Sequence, residues 1–178
     1  QNKKITIKVI SATSPPLHDA CATHSYKWVQ GLKNLGYQVE VASTMNESGV
    51  NYHLKNLKFK LLGHKNAPST RYLFVYQPYL FGRAGINLGL PLISFFFSLK
   101  SKIRYDLLVH ELYHPPSNQW PTMLLFPLHL FMLFFMGLRS HHIFVSTAHF
   151  KKRLEQLFFW KKNQIFTIPV GSNIDYQE

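Results

Sequence analysis

An α/β fold, built on a mainly parallel, doubly wound sheet with helices on both faces, is what the sequence predicts. Three observations carry that expectation. Short β-branched and aromatic runs alternate with helix-length segments along the chain, the spacing of βα units. The central runs, Tyr72-Leu73-Phe74-Val75-Tyr76 and Tyr105-Asp106-Leu107-Leu108-Val109, are nearly continuously apolar, as strands buried on both faces are. A first βαβ unit is legible from end to end, with Gly36 placed to stop its helix.

In order, alternation in Ile5-Thr6-Ile7-Lys8-Val9-Ile10 marks a first strand. A loop from Ser11 to Ala22 with Pro15 and Pro16 leads into a helix over about 23–35, and Gln38 to Ser43 forms the second strand. Residues 45–70 are polar, basic and weakly periodic, with one short strand expected near 57–62. Further strands are expected at 72–76, 105–110, 142–146 and 164–168, with helices at about 90–102, 120–138 and 148–158 between them. The pattern is Rossmann-like. Segment 120–138 carries no charge and has the length of a membrane span. Spanning would split one sheet across a bilayer, so a buried helix is expected instead, starting near Pro121, kinked at Pro127 and covered on its far side by a second domain, a partner chain or a membrane surface.

Composition narrows the function classes. The chain has 178 residues, 46% of them hydrophobic and 15% aromatic, enough for one domain with its own core. A formal charge of +12 is unevenly spread, because no acidic residue lies between Glu47 and Asp106, a span that holds Lys55, Lys58, Lys60, Lys65, Arg71, Arg83, Lys100, Lys102 and Arg104. Such a field favours phosphate-bearing partners. Cys21 is the sole cysteine, which excludes an intrachain disulfide and a cysteine-based zinc cage and fits a reducing compartment. The sequence opens on Gln1 with no apolar leader, and it is expected to be a piece of a longer or split protein.

His110-Glu111-Leu112-Tyr113-His114 spells H-E-x-x-H, the zinc-peptidase pattern. That chemistry needs both histidines on one helical face, whereas Pro115 and Pro116 disfavour helix through His114 and the residues before His110 read as a strand. The motif is therefore expected at the C-terminal end of a parallel strand, where open α/β sheets bind ligands. Two more loops should converge there, one carrying His18, Asp19, Ala20 and His24, the other Gly82 and Arg83. Together with His114 they would form a polar pocket holding acid, base and cation. Plainer roles stay open: Asp19 as a helix cap, Arg83 as a solvated cation, Glu111 as partner of a loop amide. His53, His64, His129, His141, His142 and His149 are assigned to surface or core.

Four stretches, taken together, resemble a known family. They are the opening strand, Pro-Pro loop and helix ending Gly31-Leu32-Lys33-Asn34-Leu35-Gly36-Tyr37; the loop Tyr76 to Asn87; the strand-end His110-Glu111 with the later His142 to Ala148; and Ile168-Pro169-Val170-Gly171-Ser172-Asn173-Ile174-Asp175. In this order and spacing they resemble the N-terminal, acceptor-binding domain of glycosyltransferase family 4, enzymes of the GT-B fold. The resemblance spans nearly the whole chain. It implies that 1–178 is one Rossmann-like domain whose nucleotide-sugar-binding C-terminal partner domain lies outside this sequence. It further implies retaining transfer of a sugar from a nucleotide-sugar to a saccharide or lipid-linked acceptor, with no cofactor and no metal. His110 and Glu111 would be the catalytic pair, His110 touching the transferred sugar. His18, Asp19 and Ala20 would lie near donor phosphates and acceptor, with His24, Gly82, Arg83 and His114 as further acceptor or phosphate contacts. A cytoplasmic location on the inner membrane face, against anionic lipid, would follow, and these 178 residues alone are expected to be inactive. A zinc peptidase and a non-catalytic basic module binding lipid or nucleic acid are the competing readings, with nucleic acid the disfavoured partner.

Overall fold

The computed structural model describes residues 5–11, 20–43, 70–78, 89–101, 105–112, 119 and 122–168. Six strands, β1 (Thr6–Ser11), β2 (Gln38–Ser43), β3 (Thr70–Tyr76), β4 (Tyr105–Val109), β5 (Ile143–Val145) and β6 (Ile165–Thr167), form one sheet in the order β2-β1-β3-β4-β5-β6. Every neighbouring pair is parallel. The α-helices among the described residues are α1 (Ala20–Asn34), α2 (Gly89–Ser101), α3 (Leu125–Arg139) and α4 (Ala148–Leu157). The α/β, Rossmann-like expectation is met. The strand expected near 57–62 lies outside the described residues.

Alternation within each strand builds two cores. Leu73 and Val75 of β3, Val9 of β1 and Leu108 of β4 pack with Val29, Trp28 and Leu32 of α1. On the opposite face, Tyr72, Phe74, Tyr76, Tyr105, Leu107 and Val109 meet Met132, Leu133 and Met136 of α3, Leu154 of α4, and Phe158. This period-two division explains why β3 and β4 read as unbroken apolar runs: both of their faces are covered. The edge strands differ, with Val41 of β2 45% exposed and Phe166 of β6 43% exposed. Across the first strand pair, Lys8 and Glu40 sit opposite one another and close an ion pair at 3.1 Å.

Local chemistry sets the helix ends. Gly36 takes φ +85°, and the N-H groups of Gly36 and Tyr37 donate to the carbonyls of Lys33 and Leu32 at 2.9 and 3.1 Å. That paired capping is the Schellman arrangement, which a Cβ at the left-handed position would strain. Thr147 caps α4 by accepting from the Phe150 N-H at 3.1 Å.

Two boundaries depart from expectation. Helix α1 starts at Ala20 rather than near Thr23, so Ala20 belongs to the helix and not to the loop before it. Pro127 does not kink a helix interior. A short 3-10 turn over Thr122–Leu124 precedes α3, which begins at Leu125. Pro127 thus falls in the first turn, where its missing N-H has no intrahelical partner to lose.

Cover for the far side of α3, expected from a second domain, a partner or a membrane, comes in part from α2 of this chain, while Phe131 stays exposed. Phe95 of α2 meets Phe135 edge-on at a centroid separation of 5.7 Å, and Arg139 Nε donates to Ser98 Oγ at 3.2 Å. On the sheet side, Tyr105 Oη donates to the Met136 carbonyl at 2.6 Å and Tyr76 Oη to the His129 carbonyl at 3.4 Å. His129 is fully buried, in agreement with its assignment to the core. Among the described residues no helix is long and apolar enough to cross a membrane.

Candidate functional site

Strand β3 lies on the opposite side of β1 from β2, so the chain reverses its direction of winding between β1 and β3. In sheets of this kind the crevice beyond the C-terminal strand ends at that reversal is the ligand position. Ser11 closes β1 at this edge. Its hydroxyl, buried, lies 3.2 Å from the Ser25 hydroxyl of α1. The pair is not legible in the sequence, because each serine, taken singly, has no distinguishing neighbour.

His110 follows β4 at the same edge. Its N-H donates to the Tyr76 carbonyl at 3.0 Å, extending the β3–β4 ladder by one rung and fixing where the imidazole starts. Glu111 is half-buried, and Leu112 turns back into the core. His110 Nε2 and Glu111 Oε2 are both shielded from solvent, and Glu111 Oε2 accepts no hydrogen bond from the described residues. A carboxylate oxygen in that state costs about 1–3 kcal/mol. Such a cost is tolerated where a ligand or a loop donor completes the site.

Residues 110–112 continue from the strand as a bend and coil, not as a helix. A helical H-E-x-x-H therefore does not form at its first three positions, as the strand-like residues before it indicate. His18, Asp19, Gly82, Arg83 and His114 lie outside the described residues. Ala20 opens α1 and His24 is its fifth residue. Of the expected site residues, His110 and Glu111 are thus the two whose side chains are described, and they adjoin the edge that carries Ser11 and Ser25.

Beside this edge a cleft of about 370 Å³ runs between α3 and α4. Leu112, Phe126, Leu130, Leu154 and Leu157 make it mostly apolar, and Arg153 and Gln156 add a cation and an amide to its wall. Leu112 links it directly to Glu111 in sequence. The cleft was not foreseen, since it depends on how two helices diverge over a strand end.

No protein-family model matches the chain, and no curated protein matches it in sequence.

Proposed function

We propose that the chain is the acceptor-binding half of a glycosyltransferase that moves a sugar from a nucleotide-sugar to a lipid-linked saccharide at a membrane face. The observation that carries this reading is the His110-Glu111 pair at the C-terminal end of β4, whose shielded carboxylate oxygen, unpaired among the described residues, can accept from a donor. A sugar hydroxyl is such a donor, and an imidazole nitrogen can accept from or donate to the next hydroxyl. The resemblance in the order of motifs supplies the reaction class. The topology is compatible with it, since the pair follows β4, one strand beyond the winding reversal between β1 and β3.

Lipid linkage of the acceptor is supported by two features. The apolar cleft next to Leu112 can take a hydrocarbon segment while Arg153 meets a phosphate. On α2, Leu92, Phe96 and Leu99 are 41%, 63% and 47% exposed and recur at helical spacing. An outward apolar stripe on a chain of charge +12 suits the surface of an anionic bilayer. The nucleotide-sugar would be a substrate, and its main binding domain a separate partner.

Saturation-transfer NMR with a panel of saccharides and short-chain polyprenyl-phosphate saccharides tests the proposal. Transfer to sugar protons is expected, with the lipid-linked members binding more tightly. His110→Ala and Glu111→Gln should each weaken binding about tenfold, the loss of one hydrogen bond of roughly 1.4 kcal/mol. Equal binding by wild type and both variants, or no binding by any panel member, would sink it.

A further inference from the structure

At the opposite edge of the sheet from His110 and Glu111, three side chains that the sequence reading did not connect come together. Asp106 is the second residue of β4, and His141-His142 immediately precede β5. Because β4 and β5 are parallel with Leu107 opposite Ile143, the register brings Asp106 beside His142. The backbone locks that register beyond the strands. The His141 N-H donates to the Tyr105 carbonyl at 2.7 Å, and the Leu107 N-H to the His142 carbonyl at 2.9 Å.

All three ligand-type atoms point at one another. His142 Nδ1 is 3.0 Å from Asp106 Oδ1, His141 Nδ1 is 3.2 Å from His142 Nδ1, and His141 Nδ1 is 4.0 Å from Asp106 Oδ1. Hydrogen bonding accounts for part of this. The His142 N-H donates to Asp106 Oδ1 at 3.1 Å, and one ring N-H can serve one further contact. Three atoms at these separations lie on a circle of radius about 2.0 Å, the length of a zinc–nitrogen or zinc–oxygen bond. A single ion at its centre reaches all three.

We infer that Asp106, His141 and His142 form a binding site for one divalent transition-metal ion of the zinc class. Two imidazoles and one carboxylate are the donor set for zinc, cobalt, nickel or copper rather than for magnesium or calcium. The carboxylate is already oriented, because the His142 N-H holds the same oxygen that would ligate. The His142 ring is backed by Phe166 at 5.7 Å and Phe144 at 6.1 Å between ring centroids. Side-chain exposures of 17% for Asp106, 28% for His142 and 35% for His141 leave an entry path from solvent. In the present arrangement the ion would lie near the plane of its three ligands. Rotation of the more exposed His141 ring shortens the 4.0 Å edge toward a tetrahedral set, with water in the fourth position. The ion would tie the start of β4 to the segment entering β5. It is a clamp on the sheet, remote from the edge where sugar transfer is proposed, and it stands whether or not that proposal does.

Competition of Zn²⁺ against a chromophoric chelator, together with Co²⁺ absorption, tests the site in the 178-residue chain. One equivalent bound, intense visible bands of four-coordinate Co²⁺, and a Zn²⁺-dependent rise in the unfolding temperature are expected. His141→Ala removes a part-exposed ligand and leaves the Asp106–His142 contact, so it should fold and bind about a hundredfold more weakly or worse. His149→Ala, at an exposed position of α4, should bind as wild type. Unchanged affinity in His141→Ala, loss in His149→Ala, or absence of stoichiometric binding by wild type would overturn the inference. Should His142→Ala fail to fold, His141→Ala still decides.

Discussion

Truncation of Phe158 to alanine should destabilise the chain by about 3–5 kcal/mol, read as a lowered urea midpoint with unchanged slope. Phe158 ends α4, where its N-H donates to the Leu154 carbonyl at 2.7 Å, and its ring is fully buried among α3, α4 and the sheet. The ring stacks on Phe134 at 5.8 Å with planes 10° apart, and Trp160 meets it edge-on at 5.8 Å. Its third neighbour is the bare backbone of Gly137. A Cβ there would stand 2.3, 2.7 and 3.0 Å from three ring carbons of Phe158. Glycine at 137 is therefore a packing requirement of this ring and not a conformational one. Gly137→Ala gains about 1 kcal/mol of helix propensity but overpacks a ring that Phe134 and Trp160 prevent from retreating, at about 1–3 kcal/mol, so a net loss is expected. In a Phe158→Ala background the clash is gone and the same change should become stabilising. A double-mutant cycle measures the difference, and strictly additive effects would show that the ring does not rest on Gly137.

The sheet was readable because its two central strands are apolar on both faces. A run such as Leu73-Phe74-Val75-Tyr76 has few alternatives when it is too short for a helix and is followed by Pro78. Boundaries were less readable, for identifiable reasons. Ala20-Cys21-Ala22 shows no periodicity that separates loop from helix, so the start of α1 was placed late. Pro127 looks like an interior kink in sequence because the apolar run begins well before it; the 3-10 turn at 122–124 absorbs those residues and makes the proline an opening one. The strand-end position of His110 and Glu111 followed from the run Leu107-Leu108-Val109 before them. What the local pattern does not contain is proximity across strands. Ser11 with Ser25, and Asp106 with His141 and His142, become pairs and triads through register alone. Counting histidines one at a time hides the fact that two of them enter a strand beside the one carrying Asp106.

Above pH 10 the fold should lose stability steeply, with Tyr72 contributing and the two fully buried tyrosines carrying most of it. Tyr76 and Tyr105 are fully buried and give their phenolic protons to the backbone carbonyls of His129 and Met136 in α3. Burial pushes both phenols well above their ordinary value; at Tyr105 a contact with Ser94 and the nearby charge of Arg139 offset part of the rise. A group whose folded pKa is raised contributes stability that is complete below its unfolded pKa of about 10 and is lost as pH climbs from there toward the folded value. Each tyrosine removes about 1.4 kcal/mol per pH unit over that window, so two remove nearly 3. Lys161 acts with the opposite sign at lower pH. Its ammonium donates to the carbonyls of Gly137 and Ser140, yet desolvation, with Arg139 adding repulsion, holds its pKa down to about 8. Between pH 8 and its unfolded value near 10.5 the unfolded chain binds more protons, so stability rises across that interval. The urea midpoint should therefore climb modestly from pH 8 to about 10 and then fall sharply. Phenolate absorbance should show the Tyr76 and Tyr105 signals appearing together with unfolding. Tyr105→Phe leaves the Met136 carbonyl without its donor and costs about 1 kcal/mol at neutral pH, but it should roughly halve the slope above pH 10. All nine phenols titrating near pH 10 in the native chain would refute this account of how α3 is tied to the sheet.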